Sequence, residues 1–176
     1  MTFDHTVIFN SSISTDNVAD VIDEMNRYPF VNLYFSTDGG VINEMNILID
    51  FLNYRSKTDT LKLTLYDFVA SAGTLLLCNY EGPIFLQKYF RGFMFHAPDI
   101  TVGTIRQGVF GSKAKELLEV MNEDIYAQYM QIGLSKADIA KIKKGEDVYV
   151  WYDELNKIKR QFFSDEEVIK KYKLIN

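Results

Sequence analysis

Apolar residues recur along this chain with two alternating periods, and the alternation lays out the fold. Val7-Ile8-Phe9 reads as a short strand. Ser14-Thr15-Asp16 then offers capping groups to a helix over about 18–28, with Val18, Val21, Ile22 and Met25 on one face. Pro29 marks its stop, and Phe30 to Phe35 is apolar enough for a buried strand. Gly39-Gly40 turns the chain into a second helix over about 41–54, and Asn53 to Thr60 reads as a polar loop. Leu61 to Phe68 alternates like a strand, with a third apolar helix behind it from Leu75 to Cys78. Ile84 to Leu86 and Gly92 to His96 follow as short strands after the turn at Asn79–Pro83. The order β-α-β-α-β-α-β-β predicts a mostly parallel sheet with helices on its faces, joined by right-handed crossovers.

Behind His96 the pattern changes. Ile100 to Phe110 is rich in β-branched residues and glycine, which suggests an extended hairpin or edge strand. Gly111-Ser112 would then open a long helix to about Gln131, with Leu117, Leu118, Met121, Ile125, Tyr129 and Met130 as its apolar positions. A helix of that length after a complete α/β core is expected to project or to pack against a partner. The whole chain reads as one domain: a core over about 6–100, a strand-and-helix extension over 100–131, and a C-terminal segment over 132–176.

Composition narrows the function classes. The chain has 176 residues, 47% hydrophobic and 14% aromatic, which suits an ordinary globule. No apolar run approaches the ~20 residues that span a bilayer, and the N-terminus lacks the basic-then-apolar pattern of a secretory signal. A net charge of −5 argues against nucleic acid or an anionic membrane as the main partner. A single cysteine, Cys78, excludes an internal disulfide and fits a reducing, cytoplasmic setting, with a buried structural thiol as the plain reading. Two histidines and one cysteine make a structural zinc site a poor fit.

Candidate chemistry gathers at strand ends. Ser71, in Val69-Ala70-Ser71-Ala72-Gly73-Thr74, stands between a strand and a helix, where free N–H groups and the helix dipole favour developing negative charge. Such a serine is often only a helix cap, but its small neighbours would let a substrate backbone approach. Twenty-five residues on, His96 also follows a strand end, where open α/β sheets form their crevice; an imidazole there can take and return the serine proton. His5, near the chain start, is expected to be frayed. Gly39-Gly40 is either a plain tight turn or, with Ala72, a set of backbone N–H groups for an oxyanion. A third group must orient the imidazole. Asp99, Asp124, Asp138, Asp147 and Asp153 all follow His96; Asp99 is close along an extended chain, and Asp124 and Asp138 read as solvated helix charges. Asp147, just ahead of apolar Val148-Tyr149-Val150, suits an inward-pointing carboxylate.

Taken in order, these motifs resemble the proteolytic subunit of the Clp protease and its phage and mobile-element relatives. Leu33-Tyr34-Phe35-Ser36-Thr37-Asp38-Gly39-Gly40 is similar to that family's strand followed by Ser-Pro-Gly-Gly. Val69 to Leu77 resembles its Ala-Ser-Met-Gly-Ala nucleophile turn and apolar helix, and Phe93-Met94-Phe95-His96-Ala97-Pro98 resembles Met-Ile-His-Gln-Pro. The likeness runs from about Val7 to Asp147. It implies a Clp/crotonase-like α/β spiral with a handle helix, and a serine endopeptidase acting on peptides or unfolded polypeptides. Ser71 would be its nucleophile, His96 its general base and Asp147 its third member, with the N–H groups of Gly39 or Gly40 and Ala72 holding the oxyanion. The 100–110 segment would pair with extended substrate by strand addition. The resemblance implies no cofactor and a homo-oligomer joined through the handle; ATP would belong to a separate unfoldase. Two features depart from the family: Asp38 replaces its proline, and its axial-pore segment for the unfoldase has no counterpart ahead of the first strand. A rival alignment anchored on Phe163 to Glu167 and Tyr172 to Asn176 would place Gln161 near the aspartate position; we read Trp151 to Gln161 as an insertion instead.

Three other readings compete: a catalytically silent assembly subunit, a membrane-associated relative with a Ser–Lys dyad, and an acyl-CoA-binding relative. His96 and the absence of an apolar span argue against the second, and the third would not need Ser71 and His96 together.

Overall fold

The computed structural model describes residues 5–98 and 109–164. Strand β1 (His5–Asn10) leads through helix α1 (Thr15–Asn26) to β2 (Val31–Thr37), then through α2 (Ile42–Lys57) to β3 (Leu61–Ala70). A 3-10 turn (Ser71–Thr74) and the short α3 (Leu75–Asn79) precede β4 (Ile84–Leu86) and β5 (Gly92–Phe95). The long α4 (Val109–Gln131), α5 (Lys136–Lys143), β6 (Val148–Trp151), a second 3-10 turn (Tyr152–Lys157) and β7 (Phe162–Ser164) complete the order.

The strands form one mixed α/β sheet in which every pairing is parallel except β5 with β6. β1, β2, β3, β4 and β7 run in that order, while β5 pairs with β3 and carries β6 on its other side. β3 therefore has two successive neighbours on one side: its residues 63–65 pair with β4 and its residues 68–70 with β5. A bulge makes the exchange. Between Phe35↔Leu65 and Thr37↔Val69, β2 advances two residues while β3 advances four, and Asp67 adopts φ 53°. Asp67 is held there by Arg91, whose Nε lies 2.7 Å from its carboxylate and whose N–H donates to its carbonyl. The Ser36 hydroxyl donates to the carbonyl of Phe68 beside the bulge.

Val31, Leu33 and Phe35 of β2 and Leu61, Leu63 and Leu65 of β3 alternate into a core completed by Met45, Leu48 and Leu52 of α2. Each such fully buried side chain contributes roughly 1.5–3 kcal/mol. Ser14 caps α1, accepting from Asn17 N–H.

Several boundaries differ from the sequence expectation. Helix α2 continues through Lys57, where a loop from Asn53 was expected, because the buried Arg55 guanidinium packs inward and donates to the carbonyls of Met25, Tyr28, Pro29 and Thr60. Those bonds supply acceptors for a buried cation and also close the C-terminus of α1. His5 is not frayed: it opens β1 paired with Val31, and its ring stacks on Tyr28 at 3.4 Å. Val109 and Phe110 are helical rather than extended, and the rest of the expected 100–110 strand lies outside the described residues. The Trp151–Gln161 segment, read as an insertion, holds a 3-10 turn and returns the chain so that Phe162 pairs with Ile84.

Helix α4 was expected to project or to meet a partner rather than to fill the core, and its C-terminal half departs from that by packing into the chain's own core. Ile125, Tyr126 and Tyr129 are buried, whereas Leu117 is 67% and Val120 57% exposed. Among the described residues, no helix is long and apolar enough to cross a membrane.

Candidate active site

The sheet itself brings the sequence-selected residues together. β3 and β5 are parallel neighbours with Ala70 opposite Met94, so Ser71 and His96 both emerge just past the same sheet edge. The Ser71 hydroxyl and His96 Nε2 are 2.5 Å apart. β6 runs antiparallel to β5 with Phe95 opposite Val148, and one further step of that register sets His96 against Asp147. His96 Nδ1 lies 3.8 Å from Asp147 Oδ1, longer than a hydrogen bond, with both side chains partly open to solvent. With Nε2 accepting from the serine, the ring proton belongs on Nδ1, facing that carboxylate.

Ser71 is not a capping residue. The cap position is Ala70, and Ser71 has φ 56°, the left-handed conformation that costs an L residue roughly 1–3 kcal/mol unless its surroundings fix it. This sharp turn from strand to 3-10 helix lifts the hydroxyl out of the sheet toward His96. Its partner is Gly39. A Cβ at Gly39 (φ 107°) would fall 2.3 Å from Ser71 Cβ and 2.7 Å from its Oγ, so only glycine admits the serine. The small residues around Ser71 serve packing as well as access: Ala70 and Gly73 are buried, and a Cβ at Gly73 would meet Thr37 Cγ2 at 2.4 Å.

The diglycine is also ordered by backbone pairing. Ile13 N–H donates to Gly39 C=O and Val41 N–H to Ile13 C=O, which turns the N–H and C=O of Gly40 away from Ile13. Gly39 N–H donates to Thr37 Oγ1 at 3.0 Å, so of the two glycine N–H groups considered for an oxyanion, that of Gly40 is left beside the cleft. Gly40 and Ala72 line it together with Ser71 and His96. The cleft has a volume of about 670 Å³, and its apolar lining comes mainly from Val41, Leu75, Met121, Ile125 and Tyr129.

The remaining carboxylates considered for the third position stand elsewhere. Asp138 closes a capping box with Ser135 at the start of α5, Asp124 is exposed on α4, and Asp153 is exposed in the second 3-10 turn. Asp99 lies outside the described residues, as does the tail from Asp165 used by the rival alignment. Gln161 directly precedes β7, on the far side of β4 from β3. Cys78 is partly buried in α3; burial pushes its thiol up to about 12, with Arg160 pulling weakly the other way. Among the described residues, no group of three or more His, Cys, Asp or Glu is placed to hold a metal ion.

Thr37, which anchors Gly39, and Thr74 and Tyr129, which back the serine turn, carried no chemical signal in the sequence. Thr37 and Thr74 are ordinary in composition, and Tyr129 counted only as one apolar helix position. No family model matches the sequence, and no curated protein matches it.

Proposed function

We propose that the protein is a serine endopeptidase with a Clp/crotonase-like spiral fold, cleaving peptides or unfolded polypeptides. The observation that carries this reading is the 2.5 Å contact between a strained, left-handed Ser71 and His96 Nε2 at the rim of an apolar cleft. A helix cap or a core histidine requires neither the backbone strain nor that contact. In the proposed reaction His96 Nε2 takes the Ser71 proton as Oγ attacks the substrate carbonyl. The N–H groups of Gly40 and Ala72 receive the oxyanion, and His96 then delivers the proton to the leaving amine. A water molecule, deprotonated by the same imidazole, releases the acyl group. Asp147 stabilises the imidazolium across Nδ1, a role that requires the 3.8 Å gap to close. No step calls for a cofactor. Exposed Leu117 and Val120 on α4 support self-association through the handle, in a cytoplasmic homo-oligomer; an ATP-driven unfoldase is the partner the family resemblance suggests.

The open third link favours one alternative, a catalytically silent assembly subunit. Release of a fluorogenic group from short peptides and from unfolded casein separates the two. Hydrolysis that disappears in Ser71→Ala supports the peptidase; hydrolysis equal in the two proteins, or absent from both in every oligomeric form, would leave the silent subunit as the better account.

A further inference from the structure

Thr74 and Tyr129 take no part in the proposed proton relay, yet they stand directly behind its nucleophile. Thr74 is fully buried at the end of the 3-10 turn, and Tyr129, on α4, is 2% exposed. Thr74 Oγ1 donates to the carbonyl of Ser71 at 2.6 Å. A hydroxyl has one proton to give, so in its 3.1 Å contact with the Tyr129 hydroxyl the threonine must accept. The two bonds thus point one way: Tyr129 O–H to Thr74, and Thr74 O–H to the Ser71 carbonyl. Both lie where water cannot replace a lost partner. Burial pushes the Tyr129 phenol up to about 12 against the opposing pull of the Thr74 bond, so it remains a donor wherever an imidazole works.

The same tyrosine ring meets Phe95 edge-on at 5.0 Å. Phe95 is the residue before His96. One side chain therefore touches both arms of the site, the serine turn through Thr74 and the histidine strand through Phe95. A left-handed serine persists only where its surroundings over-determine it, and the bond to the Ser71 carbonyl restrains the turn that carries its side chain.

Building on the serine-hydrolase reading above, we propose that Tyr129 is a positioning residue: acting through Thr74, it holds the Ser71 turn in register with His96. Because Tyr129 also lines the cleft, ring and hydroxyl must be tested apart. Tyr129→Phe keeps the ring and removes the donor; Thr74→Val keeps the shape, and Thr74→Ser keeps the hydroxyl. Inactivation of the full chain by a fluorophosphonate is resolved into a maximal rate and a half-saturating concentration. Tyr129→Phe and Thr74→Val should each lower the maximal rate roughly fivefold, the effect of one buried hydrogen bond. Half-saturation should stay within about twofold, and Thr74→Ser should restore the rate. The double variant should be no slower than the slower single, because both changes break one chain. A maximal rate unchanged in Tyr129→Phe, or one lowered equally in Thr74→Ser, would overturn the proposal while leaving the hydrolase reading intact. A wild-type protein that takes up no probe would sink the hydrolase reading, and the positioning role with it.

Discussion

Ser71 reaches the imidazole of His96 from β3, a ten-residue strand paired on both sides, whereas Asp147 faces it from the start of β6, four residues long and paired, among the described residues, with β5 alone. The serine side closes to 2.5 Å and the aspartate side stops at 3.8 Å. Behind the serine stand the β3 bulge, the close approach of Gly39 and the Thr74–Tyr129 bonds. Beside the aspartate, β6 buries Val148 and Val150 in the core and stacks Tyr149 and Trp151 against the half-buried Phe68 on its outer face. The difference teaches that the two contacts of one imidazole need not be equally prebuilt. Parallel core strands set the Ser71–His96 contact, and the shorter β6 sets the carboxylate that faces Nδ1.

Gly39→Ala attacks the well-built side and should have the largest effect. Its methyl would occupy the place of Ser71 Cβ, in a backbone conformation that L residues rarely adopt. Serine-directed labelling should fall by at least about a hundredfold, with a stability loss of roughly 1–3 kcal/mol by thermal or denaturant unfolding. Labelling near the wild-type rate would mean that the Ser71 turn is not held by this contact.

The looser side predicts a smaller loss. Asp147→Asn should slow labelling roughly ten- to hundredfold, less than the about 10⁴-fold seen where such a carboxylate is already hydrogen-bonded. Asp153→Asn, two residues past the end of β6, should leave the rate unchanged. A strong effect of Asp153→Asn with none from Asp147→Asn would reassign the third member and dissolve the contrast.

The smallest expected change tests the aromatic stack on the outer face of β6. Trp151→Ala removes a ring stacked at 5.3 Å on Tyr149 and 6.0 Å from Phe68. The labelling rate should drop about two- to fivefold in the wild type and not at all in Asp147→Asn, since contacts that act through one group do not add. An equal drop in both backgrounds would show that β6 influences the site by another route.

Much of this arrangement was legible in the chain. The alternation of apolar periods placed the order of strands and helices through β5, and it put Ser71 and His96 just past strand ends because side-chain period reports burial directly; that β3 and β5 are neighbours was not legible. The pattern of a glycine, a carboxylate and an apolar step made Asp147 one candidate among several, and the family resemblance selected it. What escaped were features decided by tertiary contact. The β3 bulge rests on Arg91 gripping Asp67, the last turn of α2 on Arg55 meeting three distant carbonyls and that of Thr60, and the left-handed φ of Ser71 on Gly39 and Thr74. Most of these partners lie 24 or more residues apart, and the near ones, Thr60 to Arg55 and Thr74 to Ser71, act through hydrogen bonds that apolar periodicity does not report. Ser71 as a helix cap was locally sound and failed for the same reason: the turn that holds it is set from outside the helix.

The most direct test of the central claim is peptide mapping by mass spectrometry after brief fluorophosphonate treatment of the full chain. The paired Ser71 and His96 predict one adduct, on Ser71, that is lost in His96→Ala while the protein stays folded. An adduct on another serine, or a Ser71 adduct formed at an unchanged rate in His96→Ala, would contradict it.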